Sequence, residues 1–125
     1  MSGIMMMLVG TGSGGGRATA TYTYSANTAN ASLNITSLAG YSAGSTDVTI
    51  TVNSGVYLYS TSTGNAGLTL TGGSSGDTIT LVNNGYIMGK GGDGNTGYSN
   101  GNAGGTALSL GFNTTVNNTN ASAYI

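Results

Sequence analysis

Arg17, Lys90, Asp47, Asp77 and Asp93 are the only charged side chains in the 125 residues, and the chain has no His, Cys or Glu. Nucleophilic triads and dyads need an imidazole or a thiolate, and the usual transition-metal centres need His or Cys, so composition excludes both. One acid-base arrangement remains. Asp47 and Asp77 precede similar alternating segments, and if stacked repeats set them side by side, their mutual repulsion would raise one pKa and create a glycosidase-like pair. The competing reading, that each carboxylate accepts backbone N–H bonds within its own turn, needs only ordinary Asx geometry and is preferred.

The other chemical candidate is Gly89-Lys90-Gly91-Gly92-Asp93-Gly94-Asn95. From Gly91 it follows the calcium-binding G-G-x-G-x-D-x-U-x repeat through Gly91, Gly92, Gly94 and Tyr98, but Thr96 occupies the ligand Asp position. Calcium takes six to eight oxygens, usually from several carboxylates, and three Asp residues spread along the chain do not supply them. Neither phosphate-loop spacing is present, and no helix follows Gly92. The segment reads as a glycine-rich excursion, and no cofactor or metal is expected. Asn-x-Ser/Thr triplets at Asn30, Asn34, Asn113, Asn117 and Asn120 are what so Asn-, Ser- and Thr-rich a chain produces from composition alone.

A formal net charge of −1 offers no cluster of Lys and Arg to displace counterions from phosphates, so nucleic acid is not an expected partner. Near-neutrality also gives little colloidal repulsion, and a small disulfide-free domain gains stability by association; a homo-oligomer is expected. Residues 1–17 form an apolar, then glycine-rich start whose Ile4 to Val9 are assigned to assembly. The run is far too short to cross a bilayer, and membrane insertion is not expected.

The elements that must carry these residues are short strands. Period-two alternation runs through residues 18–24, 48–52, 56–59, 68–71 and 78–82, with β-branched and aromatic residues throughout. Turn chemistry separates them: Asn53-Ser54-Gly55, Thr63-Gly64-Asn65, residues 72–77 and Asn83-Asn84-Gly85. Only residues 37–44 suggest a helical turn, with Asn34 or Ser37 as the cap. Thr49-Ile50-Thr51-Val52-Asn53-Ser54-Gly55 returns as Thr78-Ile79-Thr80-Leu81-Val82-Asn83-Asn84-Gly85, and more weakly around Asn117; Gly67-Leu68-Thr69-Leu70 returns as Thr106-Ala107-Leu108-Ser109-Leu110. Imperfect repeats over about 47–72, 77–111 and 112–125 place residues 18–125 in one all-β domain. A unit of this length cannot bury its apolar face alone, so the units stack. The fold expected is a short-strand β-solenoid or β-prism-like stack with glycine-rich loops; a small β-sandwich is the alternative. Ile50, Val52, Ile79, Leu81 and Leu108 are the expected oligomer seam, because one chain of short alternating strands offers a thin core.

Eight tyrosines stand against one Phe and no Trp. A surface of Tyr, Asn, Ser and Gly suits adaptable recognition, since Tyr joins apolar area to a polar tip. Lys90, Asp93, Asn95, Tyr98 and Asn100 are the candidate surface-contact residues, with Tyr98 foremost; Tyr22, Tyr24, Tyr57 and Tyr59 are assigned to sheet faces and seams.

The run from Asp77 to Gly92, followed by Gly104-Gly105-Thr106-Ala107-Leu108-Ser109-Leu110, resembles the glycine-rich tail-fibre and tail-tip proteins of tailed bacteriophages, and the similarity reaches back to about residue 45. The resemblance implies a non-enzymatic virion protein, a homotrimer that joins other virion proteins and presents glycine-rich loops to a host-surface glycan or protein. A capsid decoration or head-fibre role is the alternative. Two further classes compete: a bacterial surface adhesin, weakened by the interrupting glycines, and an ice-binding β-solenoid, suggested by Thr-x-Thr pairs but weakened by their irregular spacing.

Overall fold

The computed structural model describes residues 16–125. The assembly segment assigned to residues 1–17, with its Ile4 to Val9, therefore lies almost wholly outside the described residues. Alternating stretches form β1 (Ala18–Tyr24), β2 (Thr28–Ala29), β3 (Ala31–Asn34), β4 (Thr46–Val52), β5 (Tyr57–Tyr59), β6 (Leu68–Thr71), β7 (Thr78–Asn83), β8 (Tyr86–Met88), β9 (Leu108–Leu110) and β10 (Thr115–Asn117).

Every third strand pairs in parallel, giving three sheets ordered β1-β4-β7-β10, β2-β5-β8 and β3-β6-β9. The chain is therefore a three-sided β-solenoid: β1 to β3 make the first turn, β4 to β6 the second, β7 to β9 the third, and β10 opens a fourth. A single bridge from Tyr86 to Tyr124 adds the fourth turn's contact on the second side. A sandwich of antiparallel sheets is ruled out by this parallel pairing.

Inward positions stack in files. Val48 meets Ile79, Ile50 meets Leu81, Leu58 meets Ile87 and Leu68 meets Leu108. Ile50, Val52, Leu58, Leu68, Leu81 and Ile87 have no exposed surface. This corrects the expected seam. Ile50, Val52, Ile79 and Leu81 fill the interior of one subunit, where a side chain without exposed area has nothing to offer a partner; Leu108, one turn later, is half-buried against the same core. Three converging sheet faces enclose a core that a single flat sheet could not.

The outward positions of the four-stranded sheet carry threonine. Thr21, Thr49, Thr80 and Thr115 lie in one file although their sequence spacings differ. Irregular spacing thus does not break the register, because corners of different length absorb it. Between β4 and β5 lie residues 53–56, whereas β7 and β8 are joined by Asn84 and Gly85 alone. Aligning letters across that difference set Thr49 beside Thr78, but the ladder pairs Thr49 with Thr80 and Asp47 with Thr78. The tight corner requires glycine: a Cβ on Gly85 would meet the Val56 carbonyl and lie 2.6 Å from that of Asn53. Asn83 is fully buried beside it, accepting from the Gly85 N–H and donating to Asn118 Oδ1 and the Tyr124 carbonyl, which ties down the last segment.

The helical turn falls earlier than expected, a 3-10 turn at Ile35–Ser37 capped by Asn34, whose Oδ1 accepts from the Thr36 N–H at 3.0 Å. Asn34 provides the cap as the sequence suggested; the turn precedes Leu38 because Ile35 is drawn into the core.

Candidate functional site

Three of the five charged residues, Arg17, Asp47 and Asp77, converge at the corner where β1, β4 and β7 begin. Asp77 Oδ2 accepts from the Tyr41 hydroxyl at 2.6 Å and the Ser74 N–H at 2.8 Å, and Oδ1 accepts from the Thr46 N–H at 3.1 Å. The Tyr41 bond, supported by the backbone donors, holds the Asp77 carboxyl below the usual carboxylate range and raises the Tyr41 phenol. Asp77 is thus a turn residue satisfying backbone amides. Asp47 faces elsewhere, accepting from Arg17 Nε at 2.7 Å, while Arg17 also donates to the carbonyls of Thr46 and Gly76. The two carboxylates are not a shared-proton pair.

The glycine-rich excursion leaves the solenoid after β8 and returns at β9. Residues 91–104 are exposed, and no strand forms among them. Its two legs run side by side: the Asn102 N–H donates to the Asp93 carbonyl at 2.8 Å and the Gly105 N–H to the Lys90 carbonyl at 2.7 Å. Glycine permits this approach. A side chain on Gly89 would meet the Gly105 carbonyl, one on Gly92 the Asn102 carbonyl, and a Cβ on Gly101 would lie 3.1 Å from the Asp93 carbonyl. At the base Lys90 Nζ reaches Asp93 Oδ1 at 3.2 Å; at the neck Asn95 Nδ2 donates to the Asn100 carbonyl at 3.4 Å. Between them Gly97 takes φ +122° and turns the tip, where Tyr98 is 110% exposed. Lys90, Asp93, Asn95, Tyr98 and Asn100 therefore share one projecting finger.

Sequence reasoning missed an aromatic file on the second side of the solenoid. Register sets Tyr57 on Tyr86 and Tyr86 on Tyr124, with ring centroids 4.6 and 4.7 Å apart and the first pair stacked at 24°. Of the four tyrosines assigned to faces and seams, only Tyr24 is buried; Tyr22, Tyr57 and Tyr59 keep about two-fifths of their surface. Tyr57 and Tyr86 stack face to face, whereas Tyr124 lies tilted 56° to Tyr86 and stays half exposed. The recurrence of Tyr after the Gly55 and Gly85 corners was the available signal for the first two rings; Tyr124 follows no glycine.

An open groove of about 400 Å³ runs along the third side, lined by Asn30, Ser32, Asn65, Thr69, Thr106 and Ser109. It holds no ionisable group. A second, beside Ser75 to Ile79, includes Asp77, whose oxygens already serve Tyr41 and the two N–H groups.

No curated protein and no solved structure matches this chain. A family model does: the one described as phage tail fibre adhesin Gp38 matches residues 19–123, from the first strand of the solenoid to the last segment beside Tyr86. The chain belongs to the phage tail fibre adhesin Gp38 family and is a virion component of the tail fibre that contributes to host attachment.

Proposed function

We propose that the finger formed by residues 89–105 makes the host contact, with Tyr98 as its anchor and Lys90, Asp93, Asn95 and Asn100 holding its shape, and that the chain performs no catalysis. The observation that carries the reading is the full exposure of a large aromatic ring at the tip of a backbone-paired projection. An unpartnered Tyr there has no role in the solenoid's stability, and aromatic anchors are where recognition energy concentrates. The absence of catalysis is supported by the commitment of Asp47 and Asp77 to structural partners and by the lack of His, Cys and Glu in the chain.

The test is adsorption of purified protein to cells that the phage infects. Tyr98→Ala should weaken binding about 30-fold or more, the ordinary effect of removing an interface anchor, while thermal unfolding stays unchanged because nothing packs on the ring. Binding retained at full strength by Tyr98→Ala, and also by a chain with residues 95–100 replaced by a short Gly-Ser link, would place the host contact elsewhere.

A further inference from the structure

Asn-Gly occurs twice in the chain, as Asn84-Gly85 and Asn100-Gly101, and the fold treats the two steps differently. An Asn carboxamide is open to attack by the backbone nitrogen of the next residue when that N–H is unbonded and the backbone can bend it onto Cγ. A following glycine puts no Cβ in the way. At the corner between β7 and β8 both conditions fail. Gly85 is buried, its N–H donates to Asn83 Oδ1 at 3.1 Å and its carbonyl accepts from the Tyr124 N–H at 3.2 Å, while the Asn84 N–H is held by the Val52 carbonyl at 2.9 Å. On the return leg of the finger both are met. Asn100 and Gly101 are exposed, and neither the Asn100 carboxamide nor the Gly101 N–H has a hydrogen-bond partner among the described residues. The Asn100 carbonyl takes only the 3.4 Å bond from Asn95 Nδ2, and the main-chain tie to the opposite leg, from the Asn102 N–H, comes after the step.

We propose that Asn100-Gly101 is a self-modifying site, where the finger converts its own side-chain amide into a carboxylate with water as the sole reagent. The Gly101 nitrogen bonds to Asn100 Cγ and loses its proton, the Cγ–Nδ2 bond breaks, and Nδ2 leaves as ammonia with that proton, closing a succinimide. Water then adds to one of the two ring carbonyls. Cleavage of the Gly101 nitrogen from Cγ gives aspartate, cleavage from the Asn100 main-chain carbonyl carbon gives isoaspartate, and either releases one carboxyl with no change of oxidation state. Asp93-Gly94, on the outgoing leg, has no amide to lose. A carboxyl, ordinarily titrating near ~4, is charged at neutral pH. The product therefore adds one negative charge to a chain whose formal net charge is −1, on the leg opposite Asp93 and two residues from Tyr98. In isoaspartate the main chain runs through Cγ and gains one carbon, and the carbonyl that Asn95 holds becomes the free carboxylate. The reaction does not depend on the finger's being the host contact; under that reading, it changes the charge of the contact surface as the particle ages.

Mass spectrometry of the full chain, aged in its folded state at neutral pH and body temperature, is the test. Trypsin has only Arg17 and Lys90 to cleave after, so the two Asn-Gly steps fall in separate fragments, residues 18–90 and 91–125. Fragment 91–125 should gain one mass unit, mapped to residue 100, and become a substrate for isoaspartyl methyltransferase. Fragment 18–90 should change at least about ten-fold more slowly, since Asn84 must wait for its corner to open. Asn100→Gln, whose longer side chain would have to close a six-membered ring, should abolish the change while circular dichroism and thermal unfolding stay as in the parent. In urea, where the corner no longer protects Asn84, the two fragments should change at similar rates. An amide retained at residue 100 throughout ageing, equal rates at residues 84 and 100 in the folded chain, or a gain mapped to another Asn of the finger would each overturn the proposal. None of these readouts depends on host binding by the finger.

Discussion

Replacing Leu81 by Ala tests whether the core belongs to the single chain. Leu81 lies between Ile50 on one side and Val116 on the other and has no exposed surface. The substitution removes three carbons from a site held by strands above and below, so the cavity cannot collapse readily, and losses for such changes run about 2–5 kcal/mol; clamping between two ladders argues for about 3–4. Val116→Ala, in β10 at 38% exposure, should lose only about 1 kcal/mol. Urea unfolding followed by circular dichroism reads both, as a shift in midpoint at nearly constant slope. Against a total of about 5–15 kcal/mol, the Leu81 variant should remain folded but close to its limit. The difference between variant and parent should also be the same in dilute and in concentrated solution, since the lost contacts are internal to one chain. A loss below about 1 kcal/mol, or a difference that grows on dilution, would refute the single-chain core and return Leu81 to a subunit seam.

Two pH experiments probe the polar ties. Asp77 has its carboxyl pKa lowered from 3.8, chiefly by the Tyr41 hydroxyl, so its contribution is complete above that value and fades as pH falls through the lower folded pKa. Thermal unfolding midpoints should decline on acidification below about pH 4 in the parent and less steeply in Asp77→Asn. Tyr24 works at the opposite extreme: burial, with some repulsion from Tyr22, pushes its phenol up to about 12 from 10.0. The unfolded chain releases that proton near 10 while the fold retains it, so stability should fall between pH 10 and 12, and Tyr24→Phe should flatten that part of the profile. An unchanged slope in either variant would show that the named group is not the one titrating.

What the sequence made legible was periodicity, and what it hid was the closure of the core. The alternation around Val48 to Val52 and Thr78 to Val82 names the strands and separates inward from outward residues, because parity survives an alignment that slips by two. The first turn was not recognised as a repeat: its inward positions are Ala20 and Ala31 where later turns have Val48 and Leu68, and its corner lacks the Asn-x-Gly pattern. Apolar content also misled. Counting one thin face per strand invites a seam between subunits, but three sheets folded toward one axis give Ile50 and Leu81 neighbours on all sides within one chain. Tyr98 was legible for a different reason, since a lone aromatic ring in a run of Gly and Asn has no strand to belong to. The tyrosine file of Tyr57, Tyr86 and Tyr124 depends on corner lengths, and letters alone do not give the register.

The position of the finger follows from the same geometry. In a solenoid each turn is stabilised mainly by its neighbours, so a segment that leaves at one corner and returns at the next adds closure entropy but does not alter the ladder. Leu68, Thr69 and Leu70 pair in strict succession with Leu108, Ser109 and Leu110, as though residues 89–105 were not there. The finger in turn needs little from the turns except two fixed ends, which Gly89 and Gly105 provide by packing backbone against backbone where any side chain would intrude. Its legs are held by main-chain hydrogen bonds that make no demand on side-chain identity. Residues at the tip are therefore energetically separate from the core that presents them, so exchanging Thr96 to Asn100 for other sequences should cost folding little.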